Sequence, residues 1–410
     1  YPLRRQRQMC IRDRKNTTPL TGQWGDTFAV RWKGLFVPPV SGTYTLGVGG
    51  FSEYALWLDG ILIAAYDDIH FPLLKTREIE LSAGQWYDLR LDYVNRGLDP
   101  QVQLFWARPD VDHKAEAMEA AKKADVVIAV MGLSPALEAE EFERGELPVT
   151  LEGFAKGDRT DIQLPRLQED LLKQLHALGK PVVLVLMNGS ALAVNWAAEH
   201  IPAIVEAWYP GQAGGEALAD VLFGDYNPAG RLPVTFYTSV EDLPPFEDYG
   251  MEGRTYRYFR GDSLFSFGHG LSYTTFDFAN LRIDSPQVSV GGKVTICVDI
   301  ANTGDRAGEE VVQLYTRRPG DTSGRPIKTL RGFKRLALQP GERKTVAFTL
   351  YVNQLGSCDE AGQFVIAPGT VEVMVGNSSQ HLPLTGAFEI SGQATGVGDE
   401  KVFFSDVNVV

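Results

Sequence analysis

Three runs near the middle of the chain carry almost no polar side chain: Val126–Met131, Pro181–Asn188 and Ala203–Tyr209. A strand with one wet face alternates; a strand that is apolar throughout must be covered on both faces. Between and after these runs lie stretches with helical spacing. They are Pro165–Leu178, with apolar residues at 167, 171, 172 and 175, then SALAVNWAAEH, then GQAGGEALADVLFG. DHKAEAMEAAKKA, before the first run, is rich in Ala, Glu and Lys and also reads as a helix. Strand and helix therefore alternate, which predicts parallel βα units. In such sheets ligands bind outside the carboxyl ends of the strands. There the sequence places Asn188-Gly189-Ser190, Tyr209-Pro210-Gly211-Gln212 and a long polar loop after Gly132. Ser190 is expected to cap the helix that follows it.

The loop after Gly132 reads GLSPALEAEEFERGE and continues to GDRTDIQLP, ending at Pro165. A loop this long inside a compact domain is uncommon unless it has a task. In an extended chain Glu138 and Glu140 point one way and Glu141 the other. Carboxylates this close repel, so one of them is expected to hold its proton at higher pH, as a general acid requires. A solvated acidic loop is the competing reading of the same residues.

The balance of 39 basic against 52 acidic residues gives a net charge of −13, which disfavours nucleic acid and anionic membrane surfaces. No apolar run is long enough to span a membrane. Cys10, Cys297 and Cys358 show no metal-ligand spacing and no disulfide framework. The six histidines do not cluster, and no cofactor or metal site is expected. Asp67-Asp68 could form a calcium pair, though adjacent loop acids are more often solvated. Residues 1–15, YPLRRQRQMCIRDRK, are basic, lack periodicity and resemble translated adapter sequence. They are read as a non-native leader, with the native chain beginning further upstream. No signal-peptide core precedes the folded part.

Residues 16–109 read as a β-sandwich that is incomplete at its start. FAVRWKGLFVPP, SGTYTLGVGG, YALWLDGILIAA, WYDLRLDYVN and VQLFWA are short alternating strands, and Asp59-Gly60 is a hairpin turn. Its tryptophans, Trp24, Trp32, Trp57, Trp86 and Trp106, are assigned mostly to the core. Residues 110–275 carry the α/β pattern. Residues 276–392 return to alternating strands with turns every 8 to 12 residues, an immunoglobulin-like or fibronectin type III-like sandwich. Residues 393–410 form a polar, Gly-rich tail that ends in KVFFSDVNVV, read as a short terminal strand or an unanchored segment. The expected fold class is thus multidomain, α/β plus all-β.

Three strings carry a family resemblance. YPGQAGGEALADVLFGDYNPAGRLPVTF is similar to the C-terminal sandwich of glycoside hydrolase family 3. EGRTYRYF with FSFGHGLSYTTF resembles that family's junction into its fibronectin type III-like domain, and GFKRLALQPGE resembles that domain itself. WKGLFVPPVSGTYTLGV, LWLDG and LRLDYVN…VQLFWA resemble the protective-antigen-type sandwich inserted in many sugar-active enzymes. The resemblance implies a retaining, exo-acting β-glycosidase of the β-glucosidase or β-xylosidase type. In that family an Asp nucleophile sits on an N-terminal barrel, and a Glu on the α/β sandwich is general acid, then base. The chemistry needs two carboxyl groups about 5–5.5 Å apart. Laid on the family's E-x-E-G-x-D-R pattern, Glu138 takes the first Glu and Glu140 the second, so Glu140 is the implied acid/base. Glu141 stands where the pattern has Gly and Asp158-Arg159 lies further on, so Glu138 and Glu141 remain alternatives. No barrel with a nucleophile precedes this segment, so the 410 residues alone are expected to be inactive. The implied partners are oligosaccharides or aryl and alkyl β-glycosides; the implied location is secreted or periplasmic. Arg159, Glu252 and Arg254 are weaker substrate-binding candidates. Arg159 could instead pair with Asp158 or Asp161.

A non-catalytic carbohydrate-binding or adhesion protein is the main alternative. A dinucleotide fingerprint is absent, since Gly47–Gly50 opens no helix. Ser190 and Ser272 lack the nucleophile elbow. His269 is read as structural, and Tyr256, Tyr258 and Phe259 as packing between the α/β part and the last sandwich.

Overall fold

A computed structural model describes residues 27–67, 73–96, 100–135, 137–138, 152–155, 158–320, 325–359 and 361–410. They fall into two compact units: residues up to Thr160 with Pro165–Val185, and Asp161–Leu164 with Leu186–Val410.

The first unit begins with a sandwich of β1 (Thr27–Phe36), β2 (Gly42–Phe51), β3 (Glu53–Leu58), β4 (Ile61–Tyr66), β5 (Leu73–Leu81), β6 (Tyr87–Arg96) and β7 (Gln101–Ala107). One sheet has the order β1-β6-β3-β4 and the other β5-β2-β7. β1 and β6 pair antiparallel from Thr27↔Arg96 to Phe36↔Tyr87. Asp59 and Gly60 make the β3–β4 turn with φ of 48° and 77°, the left-handed pair that a tight hairpin demands. The core is filled by Tyr44, Leu46, Val48, Tyr54, Leu56, Leu58, Leu91 and Tyr93. Trp24 lies outside the described residues, and the other four tryptophans are not in that core. Trp32, Trp86 and Trp106 are exposed, and Trp57 lies half-buried under the Arg90 guanidinium, 3.8 Å from its ring centre. The tyrosines fill that role because each keeps a hydroxyl partner at the core's margin: Tyr44 donates to the Val40 carbonyl at 3.0 Å and Tyr54 to the Leu73 carbonyl at 2.7 Å.

Helix α1 (His113–Lys123) follows, capped by Asp112, whose Oδ1 accepts from the Lys114 and Ala115 N–H groups at 3.0 and 2.9 Å. Then come β8 (Val127–Gly132), the two-residue strands β9 (Phe154–Ala155) and β10 (Asp158–Arg159), and α2 (Arg166–His176), which buries Leu172 and Leu175. β8 lies beside the start of β11 (Val182–Met187). β11 is buried along most of its length, as its composition predicts, but β8 is not: Ile128 and Val130 are about half exposed. β8 is the edge of its sheet, and no described element covers that face.

In the second unit the end of β11 neighbours β12 (Ala203–Glu206). Helix α3 (Asn195–His200) joins them, and α4 (Gly214–Phe223) and the short α5 (Thr255–Tyr258) follow. The α/β part carries a parallel sheet. Ser190 does not cap α3. The helix starts five residues later with Val194 at its cap position, because Ala193 first makes a parallel bridge to Gln163.

The last sandwich is built from β13 (Phe276–Ile283), β14 (Gln287–Ser289), β15 (Lys293–Asn302), β16 (Gly308–Arg317), β17 (Thr329–Leu338), β18 (Arg343–Tyr351), β19 (Ser357–Cys358), β20 (Phe364–Ile366), β21 (Gly369–Gly376), β22 (Leu384–Ser391), β23 (Thr395–Gly396) and β24 (Asp406–Val409). Its sheets run β13-β15-β18-β24 and β14-β22-β21-β16-β17, with β19, β20 and β23 in a small third sheet. Alternating residues of β15, β16, β18 and β21 meet between the two large sheets, among them Val294, Ile296, Val298, Leu314, Phe348 and Val373. The terminal residues are anchored: β24 pairs antiparallel with β18 from Val346↔Val409 to Thr349↔Asp406.

Candidate active site

The acidic loop leaves β8 at Gly132, and the structure fixes that departure point. Gln168, in the first turn of α2, grips the Gly132 peptide from both sides. Its Oε1 accepts the Gly132 N–H at 2.7 Å, and its Nε2 donates to the Gly132 carbonyl at 2.8 Å. A strand end that would otherwise fray is thus tied to a helix. The chain then turns at Ser134, whose carbonyl accepts from Leu137 N at 2.8 Å and Glu138 N at 3.1 Å. Glu138 is half-buried just after this turn. Glu140 and Glu141 lie outside the described residues.

The returning arm of the loop is a small antiparallel ladder, Asp158↔Ala155 and Arg159↔Phe154, closed by Thr160 N–H to the Gly153 carbonyl at 2.9 Å. Arg159 is half-buried on it. Asp161 accepts the Gln163 N–H at 3.0 Å and so turns the chain into the next segment. Glu152 pairs with Arg166 at 3.1 Å, but both side chains are exposed, so the pair contributes little.

In the second unit, the carboxyl ends of β11 and β12 share a buried polar group. Asn188 is fully buried. Its Nδ2 donates to the Ser190 carbonyl at 2.9 Å and to Glu206 Oε2 at 3.3 Å. Glu206 Oε1 accepts the Trp208 N–H at 3.0 Å, and Trp208 is held at φ 51°, a left-handed conformation that a bulky residue rarely adopts. Asn188 Oδ1 is buried without a hydrogen-bond partner among the described residues. A positive backbone φ and an unsatisfied amide thus lie at adjacent strand ends, and such features cluster at functional sites. The sequence reading missed Glu206, whose one signal is that it is a lone carboxylate inside an otherwise apolar strand; the grip of Gln168 on Gly132 had no such signal.

Glu252 is exposed and faces Arg260 Nε at 3.7 Å. Arg254 is committed to backbone. Its Nε donates to the Gly250 carbonyl at 3.0 Å, and its Nη2 reaches the carbonyls of Pro245 at 3.2 Å and of Asp248. The guanidinium staples the 245–250 turn. Tyr256 stacks on Phe267 at 4.3 Å and meets Tyr315 edge-on at 5.8 Å, which is the packing role expected for this stretch. His269 stacks on Phe265 at 5.4 Å, and burial together with the Arg231 charge lowers its pKa, so it is held neutral as a structural ring.

Among the described residues no group of three or more His, Cys, Asp or Glu side chains is arranged to hold a metal ion. Asp68 of the Asp67-Asp68 pair lies outside them. No described helix is long and apolar enough to cross a membrane. Cys297 and Cys358 are free thiols.

Comparison with known proteins bears on the chain as a whole. Residues 11–273 match the model of the glycosyl hydrolase family 3 C-terminal domain, and residues 310–379 match a fibronectin type III-like domain. The chain is 38% identical over 358 residues to a xylan 1,4-beta-xylosidase of Xylanibacter ruminicola, covering 86% of this chain and 40% of that protein. It is 40% identical over 287 residues to a periplasmic beta-glucosidase of Salmonella typhimurium, covering 67% of this chain and 35% of the relative. The crystal structure of a beta-glucosidase from Kluyveromyces marxianus in complex with glucose superposes with a TM-score of 0.71 at 29% identity. It covers 90% of this chain and 45% of that one. The chain thus spans 35–40% of the length of these two curated relatives.

Proposed function

This chain belongs to glycoside hydrolase family 3, and from that premise we propose that it is the C-terminal part of a retaining, exo-acting β-glycosidase. The proposed substrates are terminal non-reducing β-glucosides, with β-xylosides next. Glu140 is the proposed general acid/base, with Glu138 and Glu141 as alternatives. The nucleophilic Asp belongs to a barrel outside these 410 residues. The observation that carries this reading is the family match over residues 11–273, which includes the carboxylate-rich loop that Gln168 anchors at Gly132. In the first half-reaction the acid protonates the leaving oxygen as the nucleophile attacks. In the second it removes a proton from water. Export to the periplasm or beyond the cell fits the periplasmic relative.

The test is turnover of aryl β-glucosides and β-xylosides by the 410-residue chain and by a protein that also carries the barrel. Negligible turnover by the first and activity in the second, lost in Glu140→Gln, is the expected result. Activity of the 410-residue chain that Glu140→Gln abolishes would overturn the division of labour. Loss only in Glu138→Gln or Glu141→Gln would move the role to that residue.

One observation favours a second reading, a non-catalytic carbohydrate-binding module: the exposed Trp32, Trp86 and Trp106 of the first sandwich. Titration of the chain with cello- and xylo-oligosaccharides separates the two readings. Micromolar binding lost in Trp86→Ala, with no turnover when the barrel is supplied, would favour the module.

A further inference from the structure

The seam where α5 meets the last sandwich collects guanidinium groups that, among the described residues, have no carboxylate ion-paired to them. Ile327 N–H donates to the Arg257 carbonyl at 2.6 Å, and Leu330 N–H donates to the Tyr256 hydroxyl at 3.1 Å. These bonds set Arg257 beside the start of β17. Arg331 sits on β17 at the bulge opposite Leu314 and Tyr315, and its Nε donates to Thr316 Oγ1 at 3.1 Å. Arg318 follows β16 and donates to the carbonyls of Ala367 at 2.6 Å and Pro368 at 3.3 Å. All three arginines are half-buried. The Nε atoms of Arg257 and Arg318 are buried with no hydrogen-bond partner among the described residues.

Among the described residues no carboxylate forms an ion pair with any of the three. Of the described acids nearby, Glu372 pairs with Arg317, while Glu389 accepts from Thr370 and its charge reaches Arg318 without forming an ion pair with it. Lys328 adds a further positive group, its Nζ donating to the Ser379 carbonyl. Burial, with the charges of Arg257 and Arg318, brings the Arg331 pKa down to about 10. Like charges gathered out of water are costly unless an anion joins them.

We propose that this seam is an oxyanion-binding site, in which Arg257, Arg318 and Arg331 take a free inorganic phosphate or sulfate. The planar forks of arginine suit tetrahedral oxyanions. A bound anion would tie α5 to β16 and β17, and so lock the linker onto the sandwich.

The experiment is thermal unfolding of the 410-residue chain in phosphate, sulfate and chloride at matched ionic strength, with calorimetric titration of inorganic phosphate. A site with a Kd of about 1 mM shifts the folding equilibrium about elevenfold in about 10 mM phosphate. General exclusion of phosphate or sulfate stabilises every variant alike, so the variants decide. Arg331→Met and Arg257→Met should each lose the phosphate-specific increment and the heat of binding. In chloride they should be at least as stable as the parent, since a stranded charge has been removed. Should Arg331→Met fail to fold, Arg257→Met carries the test through the binding heat. Phosphate that adds nothing beyond chloride, or an increment that survives in both variants, overturns the proposal.

Discussion

Arg231 and Glu310 form a salt bridge of 2.5 Å whose side chains are only 7% and 2% exposed. Replacing Glu310 with Gln tests how the chain crosses from its α/β part into the last sandwich. The Glu310 carboxylate also accepts the Val311 N–H at 2.7 Å and the Asn377 side-chain amide at 3.3 Å, while Arg231 Nη1 donates to the Gly230 carbonyl at 2.9 Å. Arg231 Nε is already buried without a hydrogen-bond partner among the described residues. The substitution leaves the guanidinium with no counter-charge. A buried pair broken on one side costs about 3–5 kcal/mol. Gln keeps part of the hydrogen bonding, which places Glu310→Gln near the lower end, about 3 kcal/mol. The apolar double variant Arg231→Met/Glu310→Leu removes both charges and should recover at least half of that loss. Urea unfolding followed by far-UV circular dichroism reads the result. More than one transition is expected for a chain of two units, and the transition of the unit that holds the last sandwich is the one to follow. A cost below about 1 kcal/mol for Glu310→Gln, or a double variant as unstable as the sum of the singles, would refute the reasoning.

Gln168→Leu removes both bonds to the Gly132 peptide and should cost about 1–3 kcal/mol, with faster hydrogen exchange at Gly132 as the local signature. Gly268→Ala combines a φ of 81° with a Cβ that would fall on the buried Gln313 amide; a loss of about 2 kcal/mol or more in unfolding free energy is expected. Arg282, with help from Asn280 and Thr345, holds Asp299 well below the usual carboxylate range. Its folded pKa is depressed, so this stabilisation is complete above the unfolded pKa near 4 and fades as pH falls from there. Asp299→Asn should therefore flatten the acid limb of the stability–pH profile, while leaving it unchanged would count against the pair.

The two flanking sandwiches were legible because period-2 alternation and turn residues are local signals. Asp59-Gly60 states its hairpin in two residues, and the β15 and β18 strings alternate over their whole length. The tryptophans misled because hydrophobicity alone does not say which face of an edge region a ring lies on. Trp32 sits on the edge strand β1 and Trp106 on the edge strand β7, where inward-facing positions remain open to water. Ser190 had the chemistry of a cap, but the bridge from Ala193 to Gln163 is a long-range contact that local propensity cannot foresee. For the same reason β8 reads as a strand covered on both faces, although its coverage depends on neighbours distant in sequence. At the candidate site, the acidic loop and its place after β8 were readable. The anchoring by Gln168 and the Asn188–Glu206–Trp208 arrangement were not, since each joins segments that only the fold brings together.

The central claim is that the acid/base lies in the loop after β8, at Glu140. Its most direct test is azide rescue of Glu140→Gly in a protein that also carries the barrel. An activated aryl β-glycoside needs little acid help to leave, so the glycosyl-enzyme still forms. The base for water is missing, and azide, which needs no base, should restore turnover. The account predicts a β-configured glycosyl azide product and a rate that rises with azide, with no such rise in the parent. Parent-like turnover without azide, or rescue confined to Glu138→Gly or Glu141→Gly, would contradict the assignment.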